Sequence, residues 1–129
     1  MFNSNVFDYV DVLGKAADAY WLRNDLLANN IANVDTPGYK RQDVDFESQL
    51  SRALSSSRYN SVDARVADVN TTALKPRVYT DAANFSYRLD KNNVDIDTEG
   101  TKLAANQIKY NGLVTSINQE FSNLKMVMK

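Results

Sequence analysis

The sequence contains no histidine and no cysteine, and only two prolines, four glycines and one tryptophan among 129 residues. Without histidine, the Ser-His-Asp nucleophile, the commonest general base and the imidazole metal site are all excluded. Without cysteine there is no disulfide, thiolate nucleophile or Cys zinc site. The apolar runs are only a few residues long, far short of a bilayer span. The first fourteen residues lack a basic start followed by an unbroken apolar core, so they do not read as a cleaved secretory signal. An excess of one charge is also missing: 15 basic and 16 acidic side chains leave a formal net charge of −1. No global field favours nucleic acid or an acidic membrane as a partner. Catalysis would have to rest on carboxylates, Lys, Ser or Tyr.

The apolar fraction of 43% and charged fraction of 24% suit one ordinary domain. Asparagine is abundant, at 15 residues. Its amide competes for nearby backbone groups and weakens a helix, so helices rich in it must be held by packing. From about Ser4 to Asn33, apolar residues step through Val6, Val10, Leu13, Ala17, Tyr20, Leu27 and Ile31, with Asn24 in the one gap. Intervals of three and four predict a helix with a narrow heptad seam. At 1.5 Å per residue it would be roughly 45 Å long, too long to be buried inside a compact ball. From about Thr98 to Met128, Tyr110, Val114, Ile117, Phe121, Leu124 and Met128 repeat the pattern, and Leu103 with Gln107 extends it backwards. Asn24 and Gln107 are the polar seam positions that would fix register. Residues 1–34 carry net charge −2 and residues 101–129 net charge +3, which favours pairing of the two helices.

The expected organisation is therefore mainly α: an N-terminal coiled-coil helix (1–34), a turn, loop and small hairpin segment (35–97), and a C-terminal coiled-coil helix (98–129), forming one structural domain. Within the middle segment, Gln42 to Leu54 reads as a short helix with Val44, Phe46, Leu50 and Leu54 on its apolar face. Ser51 to Ser61 reads as a polar loop. Arg77-Val78-Tyr79-Thr80 and Phe85-Ser86-Tyr87-Arg88-Leu89 alternate as the two strands of a hairpin.

Three constellations are candidates for chemistry. Asp95-Ile96-Asp97-Thr98-Glu99-Gly100 matches the first half of an EF-hand loop, but its twelfth position is Asn106 rather than the required bidentate Glu. An acidic helix start, capped by Asp97 or Thr98, is the better reading. Asp43, Asp45 and Glu47 offer the carboxylate pair of a hydrolase, yet spacing of two along a polar stretch reads as a solvated face. Tyr20-Trp21 and Tyr39-Lys40-Arg41 read as core or partner contacts rather than a nucleic-acid surface. No cofactor, metal or small-molecule substrate is expected.

The most specific local signal is the stretch Leu26 to Arg41, LLANNIANVDTPGYKR. Thr36, preceding Pro37, is pushed out of the helical region. Pro37-Gly38 suits the centre of a type II turn with Gly at positive φ. This stretch resembles the N-terminal signature of the bacterial flagellar axial proteins, the rod, hook and hook-associated subunits. Gln42 to Glu47 and Asn93-Val94-Asp95-Ile96-Asp97, leading through Glu99 to Asn106, are similar to the short rod members in particular. The resemblance implies a structural subunit of the proximal rod of the basal body, in the cell envelope, exported through the flagellar type III apparatus without a cleaved signal. Its implied partners are other rod proteins, the rod–membrane-ring junction protein, copies of itself and the export apparatus. Asn30, Asn33, Thr36, Pro37, Gly38 and Tyr39 would be the family's signature turn. Val10, Leu13, Tyr20, Leu27, Ile31, Tyr110, Val114, Ile117, Phe121 and Leu124 would carry subunit contacts. Leu27→Asp and Ile117→Asp are then expected to block incorporation, and Ser56→Asp to spare it. The alternatives are a soluble helical-hairpin adaptor or chaperone gripping one partner and, more remotely, the carboxylate hydrolase.

Overall fold

The computed structural model describes residues 7–81 and 88–129. Two long helices frame it: α1 (Asp8–Ala32) and, after the intervening segment, α4 (Ile96–Val127). Between them lie strand β1 (Gln42–Asp45), helix α2 (Glu47–Ser55), helix α3 (Val62–Asp68) and strand β2 (Arg77–Thr80). Asp8 and Asp11 in the first turn of α1 complement its dipole, as Lys125 does in the last turn of α4. The two helices pack antiparallel. Asn30, near the end of α1, meets Glu99 in the first turn of α4, and Tyr20 at mid-helix accepts from Asn106 through its carbonyl.

The contact stripe on α4 differs from the expected one. Its least exposed positions are Glu99, Leu103, Asn106, Tyr110, Leu113, Ile117, Glu120 and Leu124. Leu103, Tyr110, Ile117 and Leu124 belong to the predicted seam. Gln107, Val114, Phe121 and Met128 do not: they stand on the neighbouring flank, with Val114 37% and Phe121 44% exposed. Leu113 and Val114 are adjacent, so intervals of three and four fit either path, and the packed path runs through polar Asn106 and Glu120. Asn106 rather than Gln107 is thus the polar residue in the helix–helix contact.

α1 carries two stripes. Leu27 on the predicted seam is fully buried, while Val10, Leu13, Tyr20 and Ile31 are half-buried. A second stripe, Val12, Ala16, Ala19, Leu26 and Asn30, is buried as well. Ala16, Ala19 and Leu26 join Val44, Phe46 and Leu74 in the core, with Leu50, Ala53 and Val69 packed against it. Small alanines at mid-helix let the intervening segment approach α1 closely.

Two expectations for that segment are corrected. Gln42–Asp45 is a strand rather than the start of a helix, and the helix begins at Glu47. Val44 and Phe46 are two apart, so an extended chain places both in the core. Part of the expected Ser-rich loop, residues 51–55, belongs to α2. β2 pairs antiparallel with β1, in the register Gln42↔Thr80 to Asp45↔Arg77. Most of the expected strand at 85–89 and its preceding turn (82–87) lie outside the described residues. α3 went unpredicted; Ser61 caps it by accepting from the Ala64 amide at 3.2 Å.

Candidate functional site: a polar knot and an exposed helix face

After α1 the chain turns sharply. Tyr39 donates its amide to the Thr36 carbonyl at 3.3 Å, and Gly38 between them has φ 72°, as a type II turn requires at its third residue. Asn33 ends the helix: its Nδ2 donates to the Asn29 carbonyl at 2.8 Å and its Oδ1 accepts from Thr36 Oγ1 at 3.1 Å. Pro37 is exposed, and its fixed φ presets the turn.

Asn30 is the anchor. It is 0% exposed. Its Nδ2 donates to the Gln42 carbonyl (2.8 Å) and to Glu99 Oε2 (2.9 Å). Its Oδ1 accepts from the Gln42 amide (2.9 Å) and the Tyr39 hydroxyl (3.2 Å). The side-chain amide thus stands in for a neighbouring strand's peptide group along β1. The next outward-facing residue of β1 is served similarly. The Val44 amide donates to Asp43 Oδ1 at 2.7 Å, and the Val44 carbonyl accepts from Arg23.

Charged groups continue the knot. Arg41, nearly buried, donates from Nε to Glu99 Oε1 at 2.5 Å and from an Nη to Asp43 Oδ2 at 3.0 Å, with Asp81 at 3.5 Å. Glu99, in the first turn of α4, is 1% exposed and is a core ion-pair member. Arg23 bridges Asp43 (3.0 Å) and Glu47 (2.6 Å). The cap of α4 is also corrected: Asp95, not Asp97 or Thr98, accepts from the Asp97 and Thr98 amides. Those backbone hydrogen bonds, Thr98 first, hold the Asp95 carboxyl below its ordinary range.

Sequence reasoning passed over Asn92. It is buried, and its Nδ2 lies within 2.9 Å of the carbonyls of Asn33, Val34 and Thr36, which follow directly on the end of α1. Its neighbour Asn93 accepts from the Arg41 amide at 2.8 Å and donates to the Asp81 carbonyl at 3.0 Å. The signal was the doublet Asn92-Asn93 opening the second motif. Of the six turn positions, Asn30, Asn33, Thr36, Gly38 and Tyr39 therefore make hydrogen bonds within the chain.

This electrostatic setting bears on hydrolysis. Burial pushes the Asp43 carboxyl upward, but the Val44 amide and the Arg41 and Arg23 guanidinium groups outweigh it and hold it below the ordinary range. For Glu47, burial is likewise opposed, chiefly by Arg23, and the net result is about 2. Glycoside hydrolysis needs one acid with a raised pKa; this pair has two lowered ones. The solvated-face expectation also fails at Asp43, which is buried between two arginines. Burial first, then the hydrogen bond to Glu47, raises Tyr20. Among the described residues no group of acidic side chains is arranged to hold a metal ion. No described helix is long and apolar enough to cross a membrane.

The outer flank of the helix pair is unlike the knot. Trp21, Val114 and Phe121 are exposed there. Val114, Phe121 and Met128 recur at the seven-residue interval that runs a stripe along a helix. An antiparallel helix pair with one tied end and an apolar flank defines a class, the helical assembly module.

The comparisons specify it. The family model described as "Flagella basal body rod protein" matches residues 21–40, the second half of α1 and the turn. The flagellar basal body rod protein FlgB of Bacillus subtilis is 34% identical over 128 residues, covering 99% of this chain and 95% of that protein. FlgB of Borrelia hermsii is 37% identical over 135 residues, covering 97% and 99%. FlgB of Escherichia coli is 31% identical over 114 residues, covering 83% of each. The chain belongs to the FlgB family of flagellar basal body rod proteins.

Proposed function

We propose that the protein is a structural subunit of the proximal rod of the flagellar basal body and that it catalyses no reaction. The observation that carries this reading is the exposed apolar flank of the α1–α4 pair, in a chain matched almost end to end by rod proteins. Apolar side chains at heptad spacing on a helix flank are contact surface for further helices. Residues 1–34, 35–97 and 98–129 act as one structural domain, in which the polar knot sets the angle between the helices and the intervening segment. Val114 and Phe121, with the edges of Val10, Leu13, Tyr20, Ile31, Tyr110, Ile117 and Leu124, face neighbours; fully buried Leu27 supports them from within. The partners are other rod proteins, copies of this chain and the rod–membrane-ring junction protein. The chain reaches them through the export apparatus without cleavage of a signal.

The test is incorporation into basal bodies, read by swimming and by the content of purified rods. Val114→Asp and Phe121→Asp change exposed positions and should leave the isolated chain's helicity intact while abolishing incorporation. Ser56→Asp should incorporate normally. Equal incorporation of all three would overturn the reading. Circular dichroism with sedimentation across a wide concentration range addresses the adaptor alternative: a subunit gains helix on association, and an adaptor is equally helical at every concentration.

A further inference from the structure

On the flank of the helix pair facing away from β1 lies a notch of about 300 Å³, lined by Trp21, Asn24, Asn106, Gln107, Tyr110 and Asn111. The amide oxygens of Asn24 and Asn106, two of its lining residues, are buried and have no donor among the described residues; Asn106 is 3% exposed and its Nδ2 donates to the Tyr20 carbonyl at 2.8 Å. A buried acceptor without a donor costs stability that an arriving donor restores. Both oxygens are covered, so a head group reaches them by turning the amides. The walls are two aromatic rings, Trp21 and Tyr110, whose faces attract cations. Exposed Asp18 and Asp25 lie three residues before and four after Trp21, on the same side of α1. Acceptors, rings and carboxylates together suit one kind of head group, a basic side chain.

The same chain offers one. The last turns of α4 expose Lys125 beside Met126, Val127 and Met128, a basic group opposite in charge to the exposed Asp18 and Asp25 of the Trp21 face. We infer that the last turns of α4 of a second copy dock on the Trp21 face, with Lys125 entering the notch. This rests on the rod-subunit reading and adds the contact by which copies follow one another. Such a contact joins unlike surfaces, so it propagates as an open row rather than closing into a dimer. Tyr110 and Lys125 are 15 residues apart on one helix, so the offset between copies along α4 is roughly 22 Å.

The native chain has no cysteine, so single-cysteine variants cross-link without background. Gln107→Cys and Ser122→Cys, the latter one turn before Lys125, are co-expressed as two chains in a flagellated cell lacking its own subunit, and the disulfide between them is measured in isolated basal bodies. The expected yield is at least tenfold above that of Gln107→Cys with Ser56→Cys. It should fall at least fivefold when Lys125→Glu is added to the Ser122→Cys chain and recover when Asp25→Lys is added to the Gln107→Cys chain. Equal yields with Ser122→Cys and Ser56→Cys, or no response to Lys125→Glu, would overturn the inference. A dominant link between Gln107→Cys and Thr115→Cys would also overturn it, showing that helices seat side by side there. Cells that swim without the Gln107–Ser122 link retain the rod reading and lose this contact. If the unaltered chain fails to restore swimming, both fall.

Discussion

At one end of the α1–α4 pair, Asn30, Arg41 and Glu99 are sealed from water and matched partner to partner. Along the outer flank and toward the other end, Trp21, Val114, Phe121 and Met126 remain exposed. One region is complete in the single chain, and the other has exposed apolar surface that no described element covers. Both lie on the same two helices, so the difference comes from what packs beside them. The intervening segment folds back onto one face of α1 and leaves the other flank of the pair open. A protein that must hold a shape and also join an array keeps these tasks on separate faces.

Several changes would break or sharpen that contrast. The largest effect should come from Arg41→Ala, which strands the buried Glu99 carboxylate and removes a partner of Asp43. A broken buried pair typically loses about 3–5 kcal/mol, read as a fall in the urea midpoint. Asn30→Ala should follow at about 2–3 kcal/mol, since each buried group left unpaired costs about 1–3 kcal/mol. Gly38→Ala should cost about 1–2 kcal/mol: a Cβ there meets no atom within 4 Å, and the penalty lies in the φ of 72° alone.

Acid should act on the same end, more gently. The folded-state pKa values of Asp43 and Glu47 are lowered. Their contribution is therefore fully present above the ordinary carboxylate range and is lost as pH falls through it toward about 2, where Glu47 titrates. The effect is small for Glu47 because its side chain is 46% exposed and solvent screens the pair. Urea midpoints measured from pH 6 down to pH 2 should decline, and Glu47→Gln should flatten part of the decline. Smallest of all should be Phe121→Ser, within about 0.5 kcal/mol in the isolated chain, although it should stop rod incorporation. A large loss of monomer stability from Phe121→Ser would erase the contrast.

The sequence exposed the open face of this molecule more readily than its closed one. Both long helices were legible from apolar spacing, and the turn from Thr36-Pro37-Gly38, because these follow from local rules. The α4 stripe was half legible. Polarity argued for Val114 and Phe121 as seam residues, whereas the packed path takes Asn106 and Glu120, which no rule based on polarity would choose. The knot was illegible for the same reason. Arg23, Arg41, Asp43 and Glu99 look like surface charges until a fold brings together residues 58 positions apart. The strand at Gln42–Asp45 was hidden because Asp43, one of its two acidic residues, sits in an ion-pair network rather than facing solvent.

The hydrogen bonds along β1 have one more consequence. A two-stranded sheet has a free edge on each strand, and an exposed edge invites another chain to add a strand. On β1 the outward groups of Gln42 and Val44 are already taken by Asn30, Asp43 and Arg23. Strand addition on that side would have to evict side chains held in the core. This closes off amyloid-like stacking along that edge of β1 and leaves the helices as the surface for ordered growth.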